Sequence, residues 1–518
     1  MDPRVCAAHV RDVLRTALTI GADAQRDLAE AEELLRPWVI RHVKPHKVER
    51  RRYRPGRSIL DDSTDERGLA VSGSATLPFL LAARAQAIAG LNGIEGERST
   101  RVYFAYGLAS SFEAYADTRR NRVVLDDEAA EGEATEDGSP QLRWYLDRIS
   151  AALPRDTAEG WAEHPKVAAT VDRVRQLWCN GEKTLVFCFY IETGRALRSH
   201  LSRVLRDEVI TRAASALWMD PIDDSAVLGE VERVADRLLR ADTRGYEEFR
   251  SRVRSLAKDP DDDVQEQVAD VAIRFLRTPS FLVRFVDLSR KTSVDDLLAG
   301  LDKPDMSGRT LGNRIRSFAD LLGQKVDVER DQLLAAMTGI QTGGIATTAE
   351  DFDPSERSRN REVLLPNVRL ANGGVRQETR RRLMLAFNTP FFPEVLVASS
   401  VMAEGVDLQY DCRHVVHHDL DWNPSTLEQR TGRIDRMGSK ALASQQPVVI
   451  YEPYLGGTHD EKMFRVVKDR ERWFGVVMGE APAVGEHATE QQAARVPLPL
   501  PLAERLTMDL SLTGRTRY

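Results

Sequence analysis

The sequence predicts an α/β fold, with a parallel-sheet lobe, a large helical insertion and a mainly helical N-terminal region. Two apolar runs near the C-terminal end, Val395–Ala398 and His414–Val416, have the length and composition of buried parallel strands. A polar loop follows each run, and then a helix begins. Because ligands of open α/β sheets bind beyond the carboxyl ends of the strands, we expect the functional residues in these loops.

The composition is that of a water-soluble protein with several domains. The chain has 518 residues, a length that suffices for about two to four domains. Of these residues 42% are hydrophobic and 30% are charged, as in ordinary soluble proteins. A net charge of −7 does not indicate a nucleic-acid binder, so any such surface must be local. The four cysteines form no C-x-x-C pair, and no signal-peptide pattern or long apolar run occurs. We therefore expect a cytoplasmic protein without a membrane segment.

A metal site is not expected. His417 and His418 resemble a metal-binding pair, but neighbouring residues of a strand point to opposite faces of the sheet.

The strongest motif in the chain has the pattern Q-x-x-G-R-x-x-R. It consists of Gln429, Gly432, Arg433 and Arg436. The two arginines are three residues apart, so on a helix they would share one face. Two guanidinium groups directed at one point suit a polyphosphate, and an arginine at the γ-phosphate stabilises the transition state of phosphoryl transfer. The alternative is a solvated basic helix whose charge is partly balanced by Glu428 and Asp435.

Together with residues 395–409, the segment from Leu420 to Gly438 resembles motifs V and VI of superfamily 2 helicase-like ATPases. It is most similar to SWI/SNF-type DNA translocases, including bacterial RapA-like and defence-system relatives. The resemblance implies the second of two RecA-like lobes, ATP and Mg²⁺ as cofactors, and double-stranded DNA as a partner.

The resemblance also implies roles for individual residues. Arg433 and Arg436 are the expected catalytic residues. The expected ATP contacts are Gln429, Gly405, Asp407 and Glu404. The expected DNA contacts are Ser399, Ser400, Tyr190, Thr193 and Arg376. For Tyr190 the alternative is core packing, and for Arg376 it is ordinary solvated charge on a helix.

Other segments resemble parts of the same motor. Residues 34–47 are similar to the exit segment of the first lobe, and Gly107–Ala114 to the helix before the second lobe. Residues 183–194 resemble motif IV, and Gln377–Asn388 the helix before motif V. The basic run that includes Arg50, Arg51 and Arg52 is predicted to be either a solvated loop or a phosphate-tracking patch.

These observations divide the chain into seven predicted segments. They are residues 1–60 as the first-lobe exit, 61–125 as a helical region, 126–142 as an acidic linker, 143–204 as the first part of the second lobe, 205–360 as a helical insertion, 361–480 as the rest of that lobe, and 481–518 as a tail. The role of the insertion stays open between partner docking, a DNA clamp and regulation.

Two further segments resemble nucleotide motifs but have the wrong context. Val123–Ala129 ends in D-E-A like a Walker B strand, but it runs directly into the acidic linker. Gly181–Thr184 reads G-x-K-T, yet its strand follows the glycine, whereas in a P-loop the strand comes first. Lys183 is therefore predicted to be a turn lysine.

No G-x-x-x-x-G-K-[S/T] sequence and no convincing D-E-x-x box occur in the chain. Phosphoryl transfer of this type needs both, so this chain alone should not hydrolyse ATP. Three interpretations follow. The first is a split motor whose partner protein carries the first RecA-like lobe, with defence-system subunits as further candidate partners. The others are a non-hydrolysing DNA-binding or scaffold subunit, and a truncated gene or fragment.

Overall fold

A computed structural model describes residues 49–53, 68–92, 103–120, 140–154, 158–257, 261–338, 365–373, 375–399 and 407–477. The strands in these ranges are β1 (Arg50–Tyr53), β2 (Lys183–Phe187), β3 (Val368–Ala371), β4 (Val395–Ala398), β5 (Cys412–His417) and β6 (Val448–Tyr451). A 3₁₀ turn, Gly73–Ala75, precedes the first helix. The helices are α1 (Thr76–Asn92), α2 (Tyr103–Ser110), α3 (Phe112–Arg120), α4 (Pro140–Ala152), α5 (Ala158–Ala162), α6 (Pro165–Cys179), α7 (Ile191–Leu217), α8 (Asp224–Leu239), α9 (Arg244–Ala257), α10 (Asp262–Leu276), α11 (Pro279–Phe285), α12 (Val294–Leu301), α13 (Leu311–Gly323), α14 (Asp327–Thr338), α15 (Gln377–Phe387), α16 (Pro424–Thr431), α17 (Lys440–Ser444) and α18 (His459–Val477).

Several predictions fall outside the described residues. They concern the segment 34–47, the acidic linker up to residue 139, the C-terminal tail, and the site residues Ser400, Glu404 and Gly405.

The six strands form one parallel sheet in the order β1-β6-β5-β2-β4-β3 within the described part of the chain. The predicted α/β fold with a RecA-like parallel-sheet lobe is confirmed. Both apolar runs singled out in the sequence are strands, and every residue of β4 and β5 is buried. Strands covered on both faces need apolar side chains at successive positions, which is why these runs are recognisable from sequence.

The sheet separates two layers of apolar side chains. Leu185 and Phe187 belong to one layer with Val415. Val186, between them on β2, belongs to the other layer with Val397. This alternation follows from the two-residue period of a strand.

The helices α8 to α14 form the described part of the predicted insertion. Helix α7 runs without a break across residue 205, where the insertion was predicted to begin. Phe275, Phe281 and Ile315 of the insertion share one continuous apolar core with Val186 and Val397 of the sheet. The helix starts carry local signals, including the capping box between Ser293 and Asp296. The insertion is therefore packed into the lobe, while the domain boundaries themselves stay predictions.

Buried ion pairs attach the insertion to the amino-terminal edge of the sheet. Glu394, directly before β4, accepts a hydrogen bond from Arg284 at 2.6 Å. Asp411, directly before β5, accepts a hydrogen bond from Arg314, with 2.8 Å between the Arg314 Nε and the Asp411 Oδ1. The Nζ of Lys440, in α17, lies 2.8 Å from Asp305 of the insertion. The insertion thus joins the lobe at the edge opposite the predicted functional loops.

The buried face of α1 is not the face that carries its leucines. Leu77 and Leu80 are 55% and 64% exposed. Phe79, Ala82 and Ala85 are buried instead, because the helix packs through a face of small residues that does not stand out by hydrophobicity.

The basic run at Arg50–Arg52 is not a loop, since it forms the edge strand β1. Lys183 is not a turn residue either. It begins β2, is almost fully buried, and donates hydrogen bonds to the carbonyls of Phe387 and Thr389 at 3.1 and 2.6 Å. Directly before β3, Pro366 and Asn367 form a turn.

The chain divides into two compact units. Residues 48–421 and 426–464 belong to one unit, which contains the sheet and the insertion. In the other unit, the guanidinium of Arg470 lies over the ring of Trp422, and its Nη1 donates to the Trp422 carbonyl at 3.0 Å. Within the described ranges we find no helix with the length and hydropathy needed to span a membrane.

Candidate functional site

The site joins the end of motif V, just before β5, to the segment that follows α16. Two backbone hydrogen bonds connect these two segments. The amide of Leu408 donates to the carbonyl of Arg433 at 3.0 Å, and the amide of Lys440 donates to Gln409 at 2.8 Å. The end of motif V is therefore held directly against motif VI.

The two arginines of motif VI were expected to share a helix face, but they do not. Helix α16 ends at Thr431, and Gly432 donates its last helical hydrogen bond to Glu428 at 2.7 Å. Arg433 and Arg436 lie in the turns that follow. A glycine directly after a helix is a common termination signal, and here it outweighs the helical spacing of the arginines.

The arginines also differ in exposure. Arg433 is 6% exposed as a residue, whereas the side chain of Arg436 is 44% exposed and forms an ion pair with Asp407. The Nε of Arg436 donates to the carbonyl of Gly432 at 3.1 Å. Gln429 is exposed. Gln429 and Arg436 are thus accessible to solvent, and Arg433 is covered.

Glu428 and Asp435 were expected to balance the motif arginines, but both carboxylates contact Arg50 of β1. The Arg50 Nη1 lies 2.7 Å from Glu428, and its Nε lies 2.5 Å from Asp435. Burial by itself would lower the pKa of Arg50, but the two carboxylates raise it above its ordinary value. This bridge between the edge strand and motif VI was not predicted, because it joins residues almost 400 positions apart.

Arg430 is a further motif residue that sequence reasoning missed. Its side chain is fully buried, its Nη1 donates to the carbonyl of Asp419 at 3.1 Å, and its guanidinium lies over the ring of Phe187 at 5.3 Å. It attaches α16 to the ends of β2 and β5. Its place between Gln429 and Gly432 was the only signal in the sequence.

Three of the predicted DNA contacts, Tyr190, Thr193 and Ser399, are buried. Tyr190 is 7% exposed and Thr193 is fully covered. The Thr193 hydroxyl lies 2.7 Å from that of Ser110, which donates to the Asp419 carboxylate at 2.8 Å. The Tyr190 ring lies against that of Phe189, with the ring centroids 5.3 Å apart. Arg376, another expected DNA contact, is exposed at the start of α15.

Asp419 is the centre of this polar cluster. It also accepts a hydrogen bond from the Phe189 amide at 2.9 Å, and its carboxylate lies 3.5 Å from the Lys166 ammonium. Burial alone would raise the pKa of Asp419, but Lys166 and the hydrogen bonds hold it below its usual range. Asp419 is thus an anion that fastens α2 and α6 to the sheet.

His418 contacts a different element from its neighbour His417. Its Nδ1 lies 2.9 Å from the Thr170 hydroxyl and its Nε2 lies 3.0 Å from the Ser110 carbonyl, whereas His417 contacts Thr431 at 3.1 Å. Burial lowers the pKa of His418 to about 4, so its ring is neutral at pH 7. The two rings therefore point in different directions, as the alternation of side chains along a strand predicts.

Comparison with known proteins agrees with this geometry. Residues 346–438 match the family described as the helicase conserved C-terminal domain, and the match includes motifs V and VI. Over these residues the chain is thus similar to a helicase C-terminal lobe, and the resemblance to SWI/SNF-type helicase-like ATPases of superfamily 2 is confirmed.

Individual relatives point to the same class. An uncharacterized ATP-dependent helicase of Bacillus subtilis, YqhH, is 37% identical over 87 residues, which is 17% of this chain and 14% of that protein. The RNA polymerase-associated protein RapA of Vibrio vulnificus is 40% identical over 72 residues, 14% of this chain and 7% of that protein. RapA of Pseudomonas fluorescens is 31% identical over 120 residues, 23% of this chain and 12% of that protein. Because the aligned segments are small parts of these relatives, a whole relative's activity does not transfer with the match.

Among solved structures, the C-terminal part of the Fun30 ATPase domain covers 55% of this chain and 89% of its own, at 12% identity and a TM-score of 0.18. A likeness at that TM-score carries no argument about the fold.

Proposed function

We propose that this chain is the second-lobe subunit of a split SWI/SNF-type DNA-dependent ATPase and translocase. A partner protein would carry the first RecA-like lobe, with the P-loop and the D-E-x-x box, and would hold most of the ATP and Mg²⁺. By analogy with its relatives, the complex would act in bacterial DNA handling such as phage defence.

The observation that carries this proposal is the position of Arg436. It is a partly exposed guanidinium in the turns after α16, where it is paired with Asp407 of motif V, and it lies within the matched helicase domain. Backbone hydrogen bonds between motifs V and VI hold its surroundings in place. Such a group can reach a phosphate on a facing lobe and stabilise the charge of the transition state.

The missing nucleotide motifs support the idea of a composite site. Without a P-loop, these 518 residues have no backbone cradle for the phosphates and no Walker lysine. Gln429, Asp407 and Arg436 would complete a site whose phosphate-binding half is supplied by the partner. Arg433 would need to leave its covered position when the two lobes close, and the loop containing Glu404 and Gly405 would face the nucleotide.

DNA would be bound mainly through its phosphates. Arg376 is exposed at the start of α15, and Arg381 on the same helix is exposed as well. Ser399, directly after β4, is buried and would have to become accessible, and Ser400 lies outside the described residues. Phosphate contacts of this kind give binding that tolerates sequence changes and weakens with salt.

One observation favours a second candidate, a non-hydrolysing DNA-binding or scaffold subunit. Arg433 is buried and Arg436 is paired with Asp407, so both arginines have contacts within this chain. A lobe that keeps its shape without catalysis would have the same contacts.

The test is DNA-stimulated ATP hydrolysis by this chain, by a partner carrying the P-loop and D-E-x-x box, and by their mixture. We expect activity only in the mixture. Arg436→Ala should then reduce it by about 10³-fold or more, by analogy with arginine fingers. Arg244→Ala is the matched control, because this insertion arginine is 91% exposed and far along the chain from the motifs. Its activity should stay within about twofold, as expected for a surface substitution.

If the mixture is inactive while this chain alone binds DNA, the scaffold function is correct instead. If Arg436→Ala and Arg244→Ala behave alike in an active mixture, the composite site does not use this arginine.

A further inference from the structure

The turn between α7 and α8 exposes the largest apolar side chain in the insertion. Trp218 is 93% exposed, and Ile222, four residues later, is 87% exposed. Met219 between them packs against the core, so the turn itself is anchored. Burying a tryptophan against a partner removes a large apolar area from water, which makes such a side chain a typical centre of a binding surface.

The backbone of Trp218 is also unfavourable for its side chain. It ends α7 with φ 56° and ψ 50°, in the left-handed region. This position after a helix usually carries glycine, and for a bulky residue it is an outlier. A tryptophan here opposes both the local backbone preference and the tendency to bury apolar surface, so neither explains its presence.

Hydrogen bonds make the turn rigid. The amide of Met219 donates to the carbonyl of Ala214 at 2.9 Å. The amide of Ile222 donates to the carboxylate of Asp220 at 3.0 Å, and Asp223 caps α8 by accepting from the amide of Ala226 at 3.0 Å. A rigid surface loses little conformational freedom on binding, which favours affinity.

The charge around the turn identifies the kind of partner. The 20 residues from Ala213 to Glu232 contain five acidic residues and no lysine or arginine. Asp220 and Asp223 are both exposed beside Trp218 and Ile222, while Asp224 is paired with Arg206 at 2.5 Å. Carboxylates at this position repel DNA phosphates and attract basic side chains.

We propose that the Trp218–Asp223 turn is a docking surface for another protein, one that offers an apolar pocket bordered by lysine or arginine. Trp218 and Ile222 fill the pocket, and Asp220 and Asp223 pair with its basic rim. Of the three roles left open for the insertion, this surface supports partner docking and opposes a DNA clamp at this turn. The surface binds its partner whether or not the lobe takes part in ATP hydrolysis.

The experiment places a photo-crosslinking benzoylphenylalanine at position 218 in the full chain, produced in its source organism. Position 144 is the matched control, because Trp144 is another exposed tryptophan, at 51%. After irradiation, mass spectrometry identifies the crosslinked peptides. We expect position 218, and not position 144, to crosslink one protein through a peptide that combines apolar residues with lysine or arginine. Asp220→Lys with Asp223→Lys should abolish that crosslink.

The protein identified in this way is then purified and titrated against defined variants. Trp218→Ala should weaken its Kd about tenfold or more, whereas Trp144→Ala should change it less than about twofold. Trp218→Gly separates binding from folding: because glycine suits the left-handed backbone, this variant should unfold at an equal or higher temperature and still lose binding.

Four results would overturn the proposal. They are equal crosslinking from positions 218 and 144, a crosslink to nucleic acid, a crosslink to a second copy of this chain, and a crosslink that persists in the double lysine variant.

Discussion

Asp407, at the end of motif V, forms an ion pair with Arg436 of motif VI. The two side chains are 40% and 44% exposed, respectively. Ion pairs this accessible to water contribute little to stability, because the solvent screens them. The pair therefore acts on the availability of Arg436 more than on folding, since the carboxylate occupies the guanidinium that a phosphate would need.

We predict that Asp407→Asn lowers the free energy of unfolding by less than about 1 kcal/mol. Urea unfolding of the variant and of the native chain checks this. A loss above about 3 kcal/mol would mean that the pair behaves as a buried one and cannot open for a ligand.

The Arg50 bridge should be far more important for stability than its neighbour on β1. Arg50→Ala leaves Asp435, whose side chain is 7% exposed, without this cation, and we expect a loss of about 2–3 kcal/mol. Arg51→Ala is the control. The Arg51 side chain is 51% exposed and lies 3.6 Å from Glu49, so its loss should be within about 0.5 kcal/mol. If Arg50→Ala and Arg51→Ala lower the free energy of unfolding equally in urea, the Arg50 bridge does not stabilise the fold as predicted.

Glu394 is predicted to be the main anchor of the insertion. Its carboxylate accepts hydrogen bonds from Arg284 at 2.6 Å, from Trp178 at 2.7 Å and from Asn367 at 2.7 Å. Glu394→Ala leaves a buried guanidinium without its anion, which costs about 3–5 kcal/mol. Glu248→Ala, at the exposed pair with Arg244, should cost less than about 0.5 kcal/mol.

Hydrogen exchange can locate the effect of Glu394→Ala. Protection should fall first in α11 and in the segment before β4. Protection lost only at the carboxyl edge of the sheet would contradict the assignment.

Lys183 should make stability increase with pH above neutrality. Burial lowers the pKa of this ammonium from 10.5 to about 7. Between these values the unfolded chain binds more protons than the folded chain, so the free energy of unfolding rises with pH, by at most about 1.4 kcal/mol per unit. Lys183→Met removes this titrating group and leaves the pH dependence that all other groups contribute to the free energy of unfolding. The stability difference between native and variant chains should therefore rise from pH 7 to 10, and a falling difference would show that Lys183 is charged throughout.

Exposure separates the residues expected to contact DNA. Arg376→Ala should reduce the salt dependence of DNA binding by about one phosphate contact without changing stability. Thr193→Val should instead lower stability without changing the salt dependence of DNA binding, because the Thr193 hydroxyl is buried against Ser110. Fluorescence anisotropy at several salt concentrations, together with urea unfolding, measures both quantities. Thr193→Val with native stability and weaker DNA binding would restore its role as a DNA contact.

The strands around the site were recognisable from sequence because they are buried on both faces. Val395–Ala398 consists of four apolar residues in succession, as expected for such a strand, and β5 and β6 are recognisable for the same reason. The helix at α15 was predicted as Gln377–Asn388 and ends one residue earlier. For the arginines of motif VI, spacing predicted a shared helix face, but Gly432 ends the helix before Arg433. A local termination signal was present in the sequence and was not given enough weight.

Other features had no local signal. Leu77 and Leu80 are exposed while Ala82 and Ala85 are buried, since the surface that α1 presents depends on the helix packed against it. The exposure of Trp218 has the same cause, because hydrophobicity alone would place a tryptophan inside.

The sequence by itself determined the class of this protein, because motifs V and VI combine short buried strands with polar residues at fixed spacings along the chain. Only the tertiary structure decided which charges meet. Arg50 contacts Asp435, and Glu394 contacts Arg284, across 385 and 110 positions of the chain. Pairing between distant charges depends on how strands and helices come together in space, and no local pattern of residues records it.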